Sequence, residues 1–459
     1  MNQSLFSEFP EITKNDWIVQ VSKDLKGKNF EDTLVWHTLE NFNIQPYYSI
    51  EDLKNLPFEQ IQAAQKNKNL GAWKNRPLIK YTNEKDTNSL IISHLKKGAE
   101  GVVIDLRNIQ INHVNWLQLL NNIKLSDTPI YFKTLEGRGV LKNLVKFIHY
   151  QPKGGFQVDL VAESFSNETT ILNKATWENT KEIIEETAKF PHFYGFMVES
   201  NVYHNAGANA VQELAFTLAS AVEYLDKLTD LGLNLEQIVS KFEFSISIGT
   251  NYFMEIAKLR ALRYLWAKIG ESYNSEVFVE NCQINCQTSS FYNSLHSPYT
   301  NMLRATTEAM SAVMGGCDSL TILPYNEVFN SDENAEFGAR IAQNISILMK
   351  EEAYLDKTTD PSAGSYYIEN LTYQLANEAW KLFQKVEEMG GITTAFDSGF
   401  ISQQIEESFQ KKVENLQNGK VMVGVNKFRE ETESLTKKQE LDISEQGFLK
   451  NKRLSEVFE

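Results

Sequence analysis

The feature that most constrains the fold is an alternation, from about residue 76 to 350, of short apolar runs with longer segments of helical period. Such alternation is typical of repeated βα units around a parallel sheet. The candidate strands are Pro77–Tyr81, Gly101–Leu106, Pro129–Lys133, Phe156–Leu160, Phe193–Val198, Phe242–Ile248, Cys282–Thr288 and Ser319–Leu323. Eight strands with intervening helices over about 270 residues predict an α/β fold, a TIM (β/α)8 barrel.

The segments between these strands predict helices, among them Thr176–Lys189, Ala210–Asp226 and Tyr252–Lys268. In the second of them, apolar residues recur at three- and four-residue spacing and share one face. A doubly wound open sheet is the alternative architecture. No glycine-rich phosphate loop follows the first strand to support it.

The regions on either side of the alternation differ from it in pattern. Residues 1–75 contain few strand and helix alternations, and we expect an N-terminal arm that packs on a partner or on the outside of the barrel. Helical stretches at 373–389 and 394–416 complete a barrel region of residues 76–420 with C-terminal helices. Residues 421–459 are charged and thinly apolar, which predicts a peripheral tail.

The formal net charge of −15 excludes broad binding to nucleic acid or to anionic membranes, because both need a cationic surface. No sequence window approaches 18 apolar residues, and the N-terminus lacks the basic and apolar stretches of a signal peptide. We therefore expect a cytoplasmic protein without a membrane span. Its three cysteines are too few for a disulfide framework and lack the partners of a zinc site, so no metal is expected.

The residues that follow the strands are the first candidates for function, because a TIM barrel carries its site at the C-terminal strand ends. They are Tyr203, His204, Asn205, Gln287, Thr288 and Ser289. Their amides, hydroxyls and imidazole can hold a polar acyl group, but they can equally form structural pairs and helix caps. Lys258, Arg260 and Arg263 share one predicted helix with Glu255, which favours a solvated or interface face.

Six segments, in this order, resemble methylmalonyl-CoA mutases. They are LVWHT at 34–38, YHNAGA at 203–208, NYFMEIAKLR at 251–260, CQTS at 286–289, DPSAGSYYIE at 360–369 and VEEMGG at 386–391. The resemblance implies a barrel that threads an acyl-CoA chain and works with adenosylcobalamin in rearranging methylmalonyl-CoA and succinyl-CoA, a step of propionate metabolism. In bacterial enzymes of this kind a large catalytic subunit often pairs with a related small subunit.

The segments also depart from the pattern of active chains. Tyr81 matches the substrate tyrosine of that pattern, but the stretch LIKYTN at 78–83 lacks the Ala-Gly turn that follows it. The stretch KTLEGR at 133–138 replaces a Gly-Thr-Ile-Gln-Asn-Asp segment, and no arginine between Arg138 and Arg260 can supply the clamp for the substrate carboxylate. An ungapped match of 206–208 puts Val202, and not His204, at the position of the catalytic histidine.

The resemblance also implies a cobalamin-binding module, whose histidine in an Asp-x-His-x-x-Gly context ligates cobalt. None of the seven histidines of this chain has that context, and the last is His296. We therefore expect no cobalamin-binding domain, no bound cofactor and no catalytic residues in this chain, with Tyr81 and the six residues that follow the strands as vestiges of a pocket. Adenosylcobalamin would be bound by a large catalytic partner in a heterodimer.

Two other interpretations remain open. The chain can be an active acyl-CoA mutase barrel that works with a separate cobalamin-binding protein, although a detached cofactor domain does not explain the lost substrate motifs. It can also be a barrel that binds acyl-CoA as a ligand without chemistry.

Overall fold

A computed structural model describes residues 12–65, 73–166, 171–329, 334–429 and 448–459. Its strands are β1 (Trp36–His37), β2 (Asn43–Ile44), β3 (Lys74–Asn75), β4 (Leu78–Lys80), β5 (Val102–Asp105), β6 (Ile130–Lys133), β7 (Gly154–Phe156), β8 (Phe193–Tyr194), β9 (Phe196–Glu199), β10 (Phe242–Ile248), β11 (Ile284–Thr288) and β12 (Ser319–Thr321). Three 3-10 helices span Ile50–Leu53, Ile111–His113 and Leu454–Phe458.

The helices fall between and after these strands. They are α1 (Lys14–Asp24), α2 (Phe30–Leu34), α3 (Phe58–Gln65), α4 (Glu84–Lys96), α5 (Trp116–Leu119), α6 (Gly137–Leu144), α7 (Leu160–Ser166), α8 (Lys174–Thr187), α9 (Asn201–Ala206), α10 (Ala210–Asp230), α11 (Leu235–Val239), α12 (Tyr252–Ser272), α13 (Val277–Glu280), α14 (Pro298–Gly315), α15 (Ala335–Glu351), α16 (Tyr366–Glu388), α17 (Ile392–Asp397) and α18 (Phe400–Gln417). No helix in these described ranges is both long and apolar enough to cross a membrane.

Two five-stranded parallel sheets carry the fold, in the orders β4-β5-β6-β7-β8 and β3-β12-β11-β10-β9. The sheets adjoin where the chain passes from β3 to β4 and from β8 to β9. At the first place, the Arg76 amide donates to the Leu320 carbonyl of one sheet, and the Pro77 carbonyl accepts from the Val103 amide of the other. Consecutive strands are neighbours, so the predicted α/β class is confirmed and the order is consistent with a TIM-type domain.

The fourth predicted strand is misplaced. It was expected at Phe156–Leu160, but β7 spans Gly154–Phe156 and Leu160 already begins α7. Two glycines open the strand because the neighbouring backbone comes too close for a side chain: a Cβ on Gly154 would lie 1.8 Å from the Ile130 carbonyl oxygen. Glycine is a weak strand former, so the apolar pattern pointed to the residues after it.

The predicted helices at 176–189, 210–226 and 252–268 correspond to α8, α10 and α12. α10 begins at a capping box, in which the Asn209 side chain accepts from the Gln212 amide and the Gln212 side chain accepts from the Asn209 amide. α10 and α12 are buried around most of their circumference because α16 packs over both on the outside. The C-terminal helices therefore form an extra layer over this part of the sheet.

The described parts of the N-terminal region and of the tail pack against this body. In the N-terminal region, Trp73 donates from its indole to the Ser346 hydroxyl, and the Leu39 carbonyl accepts from Asn209. In the tail, the Leu449 amide donates to the Phe165 carbonyl, and Leu454 is buried. Residues 448–459 thus differ from the expected peripheral tail, since a few apolar side chains suffice to anchor a charged segment. Residues 430–447 of that tail, like 1–11 of the arm, lie outside the described residues.

Candidate functional site

The predicted residues follow the C-terminal ends of the strands, an edge that we call the mouth. Of these residues, the structure brings the side chains of His204 and Ser289 into contact. His204 lies on α9, directly after β9, and Ser289 follows β11. The His204 Nε2 and Ser289 Oγ atoms are 2.7 Å apart, although 85 residues separate them in sequence. The C-terminal ends of parallel strands meet at one edge, which brings these two side chains together.

The other predicted residues lie elsewhere. Tyr203 is fully buried and pairs with the Ser220 hydroxyl at 2.7 Å, so it belongs to the core and not to a pocket. Thr288 accepts from the Leu323 amide, which makes it a structural cap at the strand end. The backbone carbonyl of Asn205 accepts a hydrogen bond from the Lys452 amide. Gln287 lies half-buried on β11. Tyr81 lies at the opposite side of the mouth, in a separate cleft.

His204 belongs to a buried network that the sequence pattern does not indicate. Its Nδ1 atom lies 2.7 Å from Glu213 Oε1, and the second Glu213 oxygen lies 2.9 Å from Lys258 Nζ. Lys258 also contacts Glu255 at 2.6 Å and donates to the Ser247 carbonyl at 2.8 Å. We call His204, Glu213, Glu255, Lys258 and Ser289 the buried network; none of them exceeds 5% exposure.

The predicted solvated face of α12 is therefore wrong. Lys258, Arg260, Arg263 and Glu255 are all buried, each cation against a carboxylate. A signal was present in the sequence: apolar residues occur on every side of the segment 252–272, which is typical of a helix without a solvated face. Charged residues on such a helix must find partners inside the protein.

The ionisation of the network follows from its burial and its charges. Burial opposes the charged form of Glu213, but the charges of His204 and Lys258 prevail and hold its pKa well below the usual range. Burial raises the pKa of Glu255, despite the opposing charge of Lys258. Although burial disfavours the Lys258 ammonium, the two carboxylates together raise its pKa. The Lys258 ammonium thus contacts both carboxylates. Glu213 favours its ionised form more strongly than Glu255 does, because its pKa is lowered and that of Glu255 is raised.

The order serine, histidine, carboxylate resembles that of nucleophile, base and orienting group in hydrolases. Here, however, Ser289 is buried, and its hydroxyl oxygen also accepts from the Phe291 amide at 3.1 Å. Both nitrogens of His204 are engaged, and Phe291 and Tyr292 contact its ring edge-on. The network is therefore paired internally, and His204, Glu213 and Glu255 also line an adjacent cavity.

Two hollows flank the mouth. A cavity of about 170 Å³ lies beside the buried network, between the N-terminal region, α12 and α18. A wider cleft of about 780 Å³ lies over the ends of β4, β5 and β6. Its lining includes Lys80, Tyr81, Asp105, Arg107, Thr134 and Glu136. No group of three His, Cys, Asp or Glu side chains suited to a metal ion occurs in the part of the chain that the structure describes.

The space between the two sheets is filled by side chains. Arg76, between β3 and β4, makes two hydrogen bonds of 3.2 and 3.0 Å with Glu243 on β10 of the other sheet. Its guanidinium lies 3.8 Å from the centre of the Tyr131 ring, and Gln157 reaches the same carboxylate at 3.5 Å. All four residues are at most 7% exposed. These four side chains fill the space between the two sheets around Arg76 and Glu243.

The family model and the relatives similar in sequence indicate one family. Residues 130–458 match the family model described as methylmalonyl-CoA mutase. The chain is 35% identical to a methylmalonyl-CoA mutase small subunit of Porphyromonas gingivalis, over 94% of this chain and 72% of that protein. It is 29% identical to the small subunit of Propionibacterium freudenreichii, over 91% of this chain and 68% of that protein. A methylmalonyl-CoA mutase of Rhizobium meliloti is 32% identical, with 92% and 65% covered.

Proposed function

Because the chain belongs to the methylmalonyl-CoA mutase family, a family of isomerases, we propose that it is the non-catalytic small subunit of a heterodimeric mutase. In this role it supports assembly of a large catalytic subunit in the cytoplasm, within propionate metabolism. The observation that carries the proposal is the filled interior. Arg76, Tyr131, Gln157 and Glu243 occupy the space that a threaded acyl-CoA chain would need.

The proposal includes the architecture that the family implies. We propose that the two sheets close into one eight-stranded barrel, in which β3 with β4 and β8 with β9 act as strands shared by both sheets. Residues 1–75 would then be the arm that contacts the partner, residues 76–420 the barrel with its helices, and 421–459 the tail. The backbone bonds of Arg76 and Pro77 to different sheets support this closure.

The adenosylcobalamin that the family uses does not fit the histidines at this mouth. Both ring nitrogens of His204 are engaged by Glu213 and Ser289. Those of His296 lie 3.2 Å from the Phe458 carbonyl and 3.1 Å from Arg429. Neither imidazole has a nitrogen to offer to cobalt, so we propose that the large subunit binds the cofactor.

The experiment is co-expression of a tagged form of this chain with a large mutase subunit, followed by a mutase assay of each chain alone and of the pair. We expect the tagged chain to retain the large subunit and to show no turnover alone with adenosylcobalamin and methylmalonyl-CoA. The Tyr81→Phe variant should leave the activity of the complex unchanged, because Tyr81 would face no substrate. Turnover by this chain alone, or with a short cobalamin-binding protein, would instead establish the active mutase.

A further inference from the structure

A third hollow lies away from the mouth, on the outer side of the helices. It is a pocket of about 450 Å³ between the residues that follow the first 3-10 helix, the second half of α12 and the middle of α16. It shares no lining residue with the two hollows at the mouth. Sites for small molecules typically measure about 300–1,000 Å³, so this pocket has room for a small organic molecule.

Each polar side chain among the described residues that line this pocket can donate a hydrogen bond, and none of them is acidic. These polar residues are Lys54, Asn55, Tyr264, Lys268, Tyr373 and Asn377. The whole chain has 60 acidic residues against 45 lysines and arginines, so a lining with two lysines and no carboxylate reverses its average charge. Lysine has donors only, and tyrosine and asparagine can donate as well. The lining is therefore suited to an anion.

Two acidic residues that lie close in sequence to the lining are already paired with lysines outside the pocket. Asp52 contacts Lys14 at 2.5 Å, and Glu378 contacts Lys381 at 2.6 Å. The two lysines of the pocket, in contrast, make no salt bridge with any residue that the structure describes. An anion that enters the pocket therefore does not have to displace a carboxylate of the protein from either ammonium.

The walls of the pocket add three aromatic rings, those of Tyr264, Tyr373 and Trp380. The Lys268 Nζ atom lies 4.3 Å from the centre of the Trp380 ring, and this cation–π contact positions the ammonium at the pocket. Burial raises the pKa of Tyr264, with smaller contributions from Tyr373 and from Glu271, which does not line the pocket. The Tyr264 hydroxyl thus stays protonated at neutral pH and remains a donor.

We propose that this pocket binds a phosphate monoester of an aromatic compound, with its phosphate on the Lys54 and Lys268 ammonium groups and its ring against Tyr264 and Tyr373. A phosphate brings nearly two negative charges and three acceptor oxygens to a lining that consists of donors. Tyrosine rings favour a planar ring in offset or edge-on contact. The site goes beyond the proposed assembly role and lies apart from the mouth, so its outcome is separate from that of the co-expression experiment.

The test is a fluorine NMR titration of the full chain with 4-fluorophenyl phosphate. We expect saturable binding in the millimolar range. The neutral 4-fluorophenol should bind about tenfold more weakly, because it lacks the charge. Inorganic phosphate should compete about tenfold more weakly than phenyl phosphate, because it lacks the ring. Equal binding of the phenol, equal competition by inorganic phosphate, or no binding of the ester up to about 50 mM would each overturn the proposal.

Matched variants locate the site. Lys268→Met keeps the length of the side chain and removes the charge, and should weaken binding of 4-fluorophenyl phosphate by about tenfold. Lys385→Met is the control: this lysine of α16 also lies over an aromatic ring, 4.5 Å from the centre of Phe400, but does not line the pocket. The control should change binding by less than about twofold.

A second variant guards against a loss that comes from misfolding. Lys54→Met changes an exposed residue of the lining and should weaken binding by about threefold or more. Circular dichroism checks that each variant is folded. Undiminished binding by folded Lys268→Met and Lys54→Met variants, or an equal loss in Lys385→Met, would refute the proposal.

Discussion

The two sides of the mouth differ in how far their charged side chains are exposed to water. On one side, over β4 to β6, Asp105 and Arg107 pair at the edge of the wide cleft, and the Arg107 side chain is 48% exposed. On the other, over β9 to β11, the buried network holds Glu213, Glu255 and Lys258 at 1–7% side-chain exposure. We call the first the open side and the second the enclosed side.

The difference teaches which charges hold the fold together. A charge at the open side returns to water when its partner is removed, so the pair is worth little. A charge at the enclosed side meets much less water, because α16 packs over α10 and α12 and the neighbouring cavity holds only about 170 Å³. The same residue types therefore stabilise the fold on the enclosed side and are mainly hydrated on the open side. Three substitutions test this comparison.

The largest effect is expected for Lys258→Met on the enclosed side. The substitution leaves the carboxylates of Glu213 and Glu255 buried without their shared cation. Loss of one partner from a buried ion pair typically costs about 3–5 kcal/mol, and this variant should fall in that range, because Glu255 loses its cation and Glu213 keeps only His204. Urea unfolding followed by circular dichroism measures the change in the free energy of unfolding.

A second substitution controls this measurement. Glu255→Gln in the Lys258→Met background removes one abandoned charge and should restore part of the lost free energy of unfolding. A cost below about 1 kcal/mol for Lys258→Met alone would show that the enclosed side is as well solvated as the open one.

The sheets and the edge that carries both sides of the mouth could be predicted from the sequence. The pairing of the charged residues on each side could not. The alternation of strands and helices indicates the parallel sheets, and both His204 and Ser289, which are in contact, follow C-terminal strand ends. The helical pattern does not show which of two adjacent residues, Tyr203 or His204, faces the mouth. Adjacent helical residues point about 100° apart, so Tyr203 enters the core while His204 joins the network.

The missed residues share a physical cause. Lys258 and Arg260 are charged, and a single sequence gives no distance to partners such as Glu213 and Glu369 on other helices. Solvation is the ordinary expectation for lysine and arginine, and it fails where α16 covers α12. The filled interior has the same cause, because Arg76 and Glu243 lie 167 residues apart in the sequence.

The next effect concerns Glu308 on α14, which touches the enclosed side through the Ser289 amide at 3.0 Å. Burial raises its pKa to about 8, with a smaller contribution from Glu255. The folded state therefore keeps a proton that the unfolded chain releases near pH 4.5. The stabilising contribution of this carboxyl is complete below that pH and is lost as the pH rises through 8.

Glu308→Gln removes this pH dependence, because the amide stays neutral. Relative to the unsubstituted protein, the variant should gain on the order of 3 kcal/mol between pH 5 and pH 8, measured as the difference in free energy of unfolding. Glu414→Gln, at an exposed position of α18, is the matched control and should show no such gain. Parallel pH profiles for Glu308→Gln and the unsubstituted protein would place Glu308 in contact with water.

The smallest effect is expected for Arg107→Met on the open side, which is the counterpart of Lys258→Met. Arg107 donates to both Asp105 oxygens, at distances between 2.6 and 3.2 Å, yet half of its side chain is in water. Its removal leaves Asp105 at the edge of the cleft, where solvent replaces the lost partner. The free energy of unfolding should fall by less than about 1 kcal/mol, and by still less in high salt, which screens such pairs. A loss as large as that of Lys258→Met would mean that the cleft is closed in solution, and the contrast between the two sides would not hold.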